Sequence, residues 1–260
     1  MIKIHFINVG HGDCIVVEFK DSDRTAVIDI NMSENMDEDS DFELINESIN
    51  LLPPLDKLYH QLVGYSTTQL FEKAGYNIKL TNPVTYIERL KANSVFRFIS
   101  THPHMDHLSG IDELNDKVGI TNFWIIKNSF TQDESKLNDS QKNDWNLYKK
   151  YRDTDEYRLG RIIVIRPMAG TLNRLWDEDK ITILAPNASL VKLAKEKDNR
   201  NIMSYVLLIE YGGHKIILGG DAEEDTWKYI YENYPKLIKV IDSFENSCIV
   251  LVDCKPLSKT

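Results

Sequence analysis

The apolar run Val95-Phe96-Arg97-Phe98-Ile99-Ser100 leads directly into His102-Pro103-His104-Met105-Asp106-His107, and no other stretch restricts the fold as strongly. A short apolar run of this kind reads as a buried strand, and the polar loop leaving its carboxyl end must then open at the surface of an α/β sheet. Three of the chain's seven histidines and a carboxylate lie in that loop. Imidazole nitrogen and carboxylate oxygen are the ligands that zinc and similar divalent ions prefer, so the loop reads as a metal site. Alternation along an extended stretch lets His102 and His104 point the same way. Asp106 and His107 are expected to open a helix and face a second point a few ångströms away. Capping that helix would need one such side chain, not four.

The surrounding pattern alternates strands and helices. Residues 2–9, 14–20 and 24–30 read as successive strands, with turns at 10–13 and 21–23. Residues 31–94 interrupt the sheet as a helical insertion, with an acidic stretch from Glu34 to Asp41 and helices near 43–51, 55–63 and 67–74. Asn82-Pro83 then reads as a cap and first-turn proline for a helix reaching about Ala92. Beyond the histidine loop the spacing predicts a helix at 107–116, a strand at 123–126, and a mobile polar loop over 128–160 that contains a helix near 141–152. Strands at 161–166 and 180–184, a helix at 188–197, a hairpin of 203–211 with 214–220 turning on Gly212-Gly213, a helix at 222–233 and a strand at 248–252 complete the reading.

The loop motif H-x-H-x-D-H after a hydrophobic strand resembles the signature of the metallo-β-lactamase-fold hydrolases. Two other segments are similar to the branch that includes the hydrolase domain of competence DNA-uptake proteins. They are Val9-Gly10-His11-Gly12-Asp13 after the first strand, and Asn201 to Leu208 through Ile217-Leu218-Gly219-Gly220-Asp221. The resemblance spans residues 2 to about 235. It implies one α/β domain over 1–260, a four-layer αββα sandwich of two mixed β-sheets. It also implies a ligand set of His102, His104, Asp106, His107 and Asp221, with Asp221 bridging two Zn2+ or Mn2+ ions. One ion would take His102, His104 and Asp221; the other Asp106, His107 and a share of Asp221. A metal-bound hydroxide would attack a phosphodiester or another small ester, with Asp106 as ligand and proton acceptor.

Several residues keep a second reading. Asp221-Ala222-Glu223-Glu224 is also a capping-box pattern. Asp13 either orients a ligand histidine or serves turn chemistry, and His11 reads as a neighbour of the site. His5, His60 and His214 are assigned to no metal. The chain departs from the resembled family in one respect, because no histidine follows His214 and the family's final His-His-Gly turn is missing. The strand at 248–252 runs into Asp253-Cys254 instead, so the resemblance implies a fold truncated at its carboxyl end. Three readings follow: a hydrolase that works without that turn, a protein partner that completes it, or a chain that binds metal without turnover.

Charge narrows the partners. A formal charge of −9 argues against broad electrostatic binding to nucleic acid, which requires many Lys and Arg facing phosphates. Cys14, Cys248 and Cys254 are odd in number and suit buried thiols in a reducing compartment. With no apolar run of membrane-spanning length and no leader, a cytoplasmic protein without membrane association is expected.

Overall fold

In the computed structural model, which describes residues 1–32, 38–76, 80–90, 94–235 and 237 and the backbone of 249–252, β-rich runs assemble into two sheets. β1 (Ile2–Phe6), β2 (Ile15–Phe19) and β3 (Arg24–Ile28) form an antiparallel meander. β3 then pairs in parallel with β4 (Val95–Ile99), β4 with β5 (Ile120–Trp124), and β5 with β7 (Ile162–Ile165). The two-residue strand β6 (Arg158–Leu159) closes the far edge, giving the order β1-β2-β3-β4-β5-β7-β6. β8 (Ile181–Ala185), β9 (Val206–Tyr211) and β10 (His214–Leu218) make an antiparallel second sheet, to which β11 (Ile249–Val252) adds in parallel beside β10. The molecule is an α/β sandwich.

Alternation along the strands divides the core. Ile15, Val17 and Phe19 of β2 pack with Ala26, Ile28, Ile99 and Trp124 against Ile183, Leu207, Ile209 and Ile217 of the second sheet. Val16, Val27, Phe98 and Phe123 face the other way, onto α4 (Pro83–Arg89), α5 (Ile111–Lys117) and α6 (Asp139–Asp153). β2 is therefore buried on both faces, which requires apolar residues at every position but Glu18. Asn82 caps α4 by accepting a hydrogen bond from the Thr85 amide at 2.9 Å, as its position before Pro83 predicts. Gly212 and Gly213, both with positive φ, turn the β9–β10 hairpin.

Four expectations change. No α-helix opens at 107: Met105–His107 is a single 3-10 turn, and α5 starts at Ile111 behind Gly110. Its amino end is capped from a distance, because buried Asp144 of α6 accepts from the Gly110 and Asp112 amides at 2.9 Å each. Burial pushes the Asp144 carboxyl up to about 6 even against those two amides. The segment 128–160 is not a mobile loop, since α6 buries Trp145, Tyr148 and Tyr151 in the core. The fifth strand begins three residues early, at Ile120, and α9 (Glu224–Asn233) has Glu223 as its N-cap with no side-chain cap bond, so Asp221 caps nothing.

α1 (Glu38–Leu51), α2 (Pro54–Leu62) and α3 (Thr67–Ala74) join α4 as the connection between the adjacent parallel strands β3 and β4. The end of the predicted helix at Ala92, the residues Asp253 and Cys254, and Cys248 lie outside the described residues. Cys14 is buried, and burial pushes its thiol up. Among the described residues no helix is long and apolar enough to cross a membrane.

Candidate metal centre

Parallel strands β3 and β4 end side by side, and the chain leaving each continues the contact. Asp29 donates its amide to Ile99, Ile30 to His107 and Met32 to Ser109, at 2.9 to 3.1 Å. Loops at the carboxyl ends of adjacent parallel strands converge in this way because the strands run in one direction. From the other sheet, Tyr205 donates its amide to the Thr101 carbonyl at 3.2 Å, which brings the end of β10 to the same place. Gly220 has φ +52, and a Cβ there would lie 3.2 Å from the Thr101 side chain. Glycine therefore permits the approach that carries Asp221 to the histidines.

The structure gathers His102, His104, His107 and Asp221, and sets Asp106 beside His107 but, among the described residues, in no group of three with Asp221. His102 Nε2 and His104 Nδ1 lie 2.8 Å apart, and Asp221 Oδ2 is 3.9 Å from His102 Nε2. On the other side of the same carboxylate, Asp221 Oδ1 is 3.4 Å from His107 Nε2, which is itself 3.5 Å from Asp106 Oδ2. Asp221 thus stands between two groups of donors. The ligand atoms of His102, His104 and Asp221 all lie within 4.8 Å of one another, and so do those of Asp13, His107 and Asp221.

Sequence reasoning passed over the residue that organises these rings. Asp29 is fully buried, has φ +53, and accepts hydrogen bonds from His107 Nδ1 at 2.8 Å and from the Thr101 amide and hydroxyl at 2.8 and 2.5 Å. Thr101 Oγ1 in turn meets His102 Nδ1 at 3.0 Å. One carboxylate therefore orients His107 directly and His102 through a hydroxyl, leaving both Nε2 atoms directed at Asp221. A left-handed backbone at a non-glycine residue costs about 1 kcal/mol or more and persists where surroundings impose it. The signal was present in the sequence as a charge interrupting the apolar run Val27-Ile28-Asp29-Ile30. Asp13, by contrast, sits 4.0 Å from His107 Nδ1, so orienting that nitrogen falls to Asp29. Asp29→Asn is expected to weaken divalent-ion affinity by about 10–100-fold while the fold is kept, as chelator competition alongside circular dichroism would measure.

The electrostatics favour a cation. Burial lowers the affinity of His107 for a proton, yet Asp29 first, then Asp106 and Asp221, raise its pKa to about 10. Burial first, with Arg200 and His107 adding to it against Asp106, brings His104 down to about 4 and keeps its ring neutral, with a lone pair to give. Burial raises the Asp106 carboxyl, but the His11 hydrogen bond at 3.0 Å and the nearby histidine charges outweigh it and hold the group below the usual range. His11 is thus a neighbour that pairs with Asp106. His5 bonds Tyr86 and Glu18, His60 accepts from the Tyr65 amide, and His214 is exposed on β10.

A divalent ion fits these residues on one observation above the rest. His107 is 1% exposed, and its Nε2 has no hydrogen-bond partner among the described residues, although two carboxylates lie within 3.5 Å. A buried polar nitrogen without a partner costs about 1–3 kcal/mol, and a cation between it and those oxygens removes the cost.

The centre opens into a cleft of about 1600 Å³ whose walls include His104, Asp106, Asn82, Lys136 and Arg200. Arg200 ties the histidine loop to the segment before α6. It donates to the Pro103 carbonyl and to Gln132 at 2.9 Å each, and to the Thr131 carbonyl. Comparison of the sequence with protein-family models and with curated proteins finds no match in either.

Proposed function

We propose that the protein is a metal-dependent hydrolase of the metallo-β-lactamase-fold type acting on a phosphodiester, in a nucleic-acid strand or a nucleotide, in the cytoplasm. The observation that carries this reading is the unpartnered, buried His107 Nε2 facing Asp106 and Asp221, with the His102–His104 pair on the other side of Asp221. Two sheets packed over one core with helices α4–α6 outside the larger one support the αββα arrangement that the reading requires.

His102, His104 and Asp221 would hold one ion, Zn2+ by its imidazole preference, and His107, Asp106 and Asp221 a second, Zn2+ or Mn2+. Bound there, divalent ions supply a water of lowered pKa and positive charge against a phosphoryl oxygen. The chain does the rest. Asp29 and Thr101 lock the imidazole rotamers, and Asp106, kept ionised by His11, would serve as a ligand beside His107. Arg200 and Lys136 on the cleft wall offset phosphate charge despite the acidic composition. A cleft of about 1600 Å³ exceeds the 300–1,000 Å³ or so typical of small-ligand pockets, which favours an extended substrate such as a strand.

Elemental analysis of purified protein, with hydrolysis of bis-p-nitrophenyl phosphate followed in parallel, tests the proposal. One or two equivalents of divalent ion and turnover that Asp106→Ala abolishes are expected. A metal-free, inactive protein would overturn it, and metal without turnover would point to a binding subunit.

A further inference from the structure

We infer that α2 is the face on which two copies of this chain pair, its leucines packing antiparallel against the same leucines of the second copy. The inference is independent of the metal-centre reading. α2 is apolar on the side that meets solvent. Leu55 and Leu62 are 82% and 76% exposed, Leu51, Leu58 and Val63 are each more than half exposed, and Tyr59 is nearly so. At about 3.6 residues per turn, Leu55, Leu58, Tyr59 and Leu62 fall on one stripe of the helix. No residue of α2 is buried.

A surface helix ordinarily turns such a stripe towards the core. Here the polar side is the one held down. Asp56 Oδ1 accepts hydrogen bonds from the Tyr65 hydroxyl at 2.6 Å and from Lys73 Nζ at 2.8 Å, and His60 Nδ1 accepts from the Tyr65 amide at 2.9 Å. The His60 ring also stacks on Tyr65. These contacts fix α2 to α3 and to the residues between the two helices from the side opposite Leu55 and Leu62, so the stripe cannot roll inward without breaking them.

Area and charge choose a second copy as the occupant. The six apolar side chains leave on the order of 600 Å² open, at the upper end of the largest patch on a typical monomer. Two such faces bury about 1,200 Å² together, which reaches the lower bound for a specific interface. The stripe is also its own complement. Turned end for end about the point between Leu58 and Tyr59, it sets Leu55 against Leu62 and Leu62 against Leu55, as a twofold contact requires. Two copies of a chain of formal charge −9 repel each other, and that repulsion is least across a helix whose two charges, Asp56 and Lys57, cancel. A lipid surface matches less well, since helices that lie on membranes are rich in Lys and Arg along the polar side and α2 has Lys57 alone.

Sedimentation of the full-length protein from about 1 to 300 µM, a range that brackets the affinity of so small an interface, tests the inference. The mass is expected to rise from 30.1 kDa to twice that value. Leu55→Lys and Leu62→Glu should each weaken the association at least about tenfold. Their circular dichroism and melting curves should match wild type, because both side chains are exposed. Mixed in equal amounts, the two variants should associate again, since antiparallel pairing sets position 55 of one copy against position 62 of the other. A wild type that stays monomeric throughout overturns the inference. In that case a lowered melting temperature in Leu62→Glu assigns the face to a segment of this same chain, and co-sedimentation of wild type with phosphatidylglycerol vesicles assigns it to a lipid surface. A dimer that both variants retain, or a mixture that fails to associate, overturns it as well. None of these measurements reads metal content or hydrolysis, so their failure leaves the metallohydrolase reading standing.

Discussion

Asp221→Ala should abolish divalent-ion retention at both positions and lower hydrolysis of bis-p-nitrophenyl phosphate by about a thousandfold or more, equivalent to about 4 kcal/mol of transition-state stabilisation. The reason is its place between the two donor groups, with one oxygen 3.9 Å from His102 Nε2 and the other 3.4 Å from His107 Nε2. Every other proposed ligand serves one group. Asp106 is more exposed and already paired with His11, so its loss leaves the His102–His104 side intact. Asp221→Asn separates charge from shape, since it keeps the volume and one ligand oxygen. It is expected to retain the His102-side ion weakly and to lose the other. The fold should survive both changes, because Asp221 caps no helix. Metal content by elemental analysis together with a melting curve in chelator decides the matter. A variant that keeps its metal with full activity would remove Asp221 from the site.

Asp179→Ala should destabilise the protein by about 3–5 kcal/mol, through an ion pair remote from the metal centre. Arg97 on β4 and Asp179, the residue after the short helix α7 (Arg174–Glu178), are both fully buried with Nη2 and Oδ2 2.5 Å apart. Asp179 also accepts from Ser22 at 2.5 Å and pairs with Arg24 at 3.4 Å. The Arg97 guanidinium lies over the rings of Phe19, Phe96 and Trp124, and burial brings its pKa down to about 10 in spite of Asp179. Removing the acid strands a buried cation between the two sheets. Replacing both partners, as in Arg97→Met with Asp179→Leu, should cost far less, because what penalises the single variant is the unpaired charge. Urea unfolding of the single and double variants measures the difference. If Asp179→Ala lost less than about 1 kcal/mol, water would have to reach Arg97.

The parts legible in the sequence are those whose cause is local. His102, His104, Asp106 and His107 occupy six consecutive residues, so their meeting needs only a strand that ends where Ile99 ends. Asn82-Pro83 and Gly212-Gly213 act within three or four residues, and the structure realises both. Misplaced elements failed for the converse reason. The capping pattern at Asp221 was overruled because Gly220 carries that residue against Thr101 before α9 begins, and the helix expected at 107 gave way to a 3-10 turn. Polarity made 128–160 look mobile, yet three aromatic side chains at helical spacing bury its helix against the sheet.

By itself, then, the sequence determined an α/β chain, a ligand-rich loop at a strand end and an aspartate after paired glycines, because period and spacing act between neighbours. Only the tertiary structure decided that Asp29, 78 residues before His107, orients it, that Asp13 lies beside it, and that Asp144 caps α5 across 34 residues. Those partners are chosen by which strand ends lie side by side and by the need to satisfy every charge the two cores exclude from water, and neither is written in local pattern.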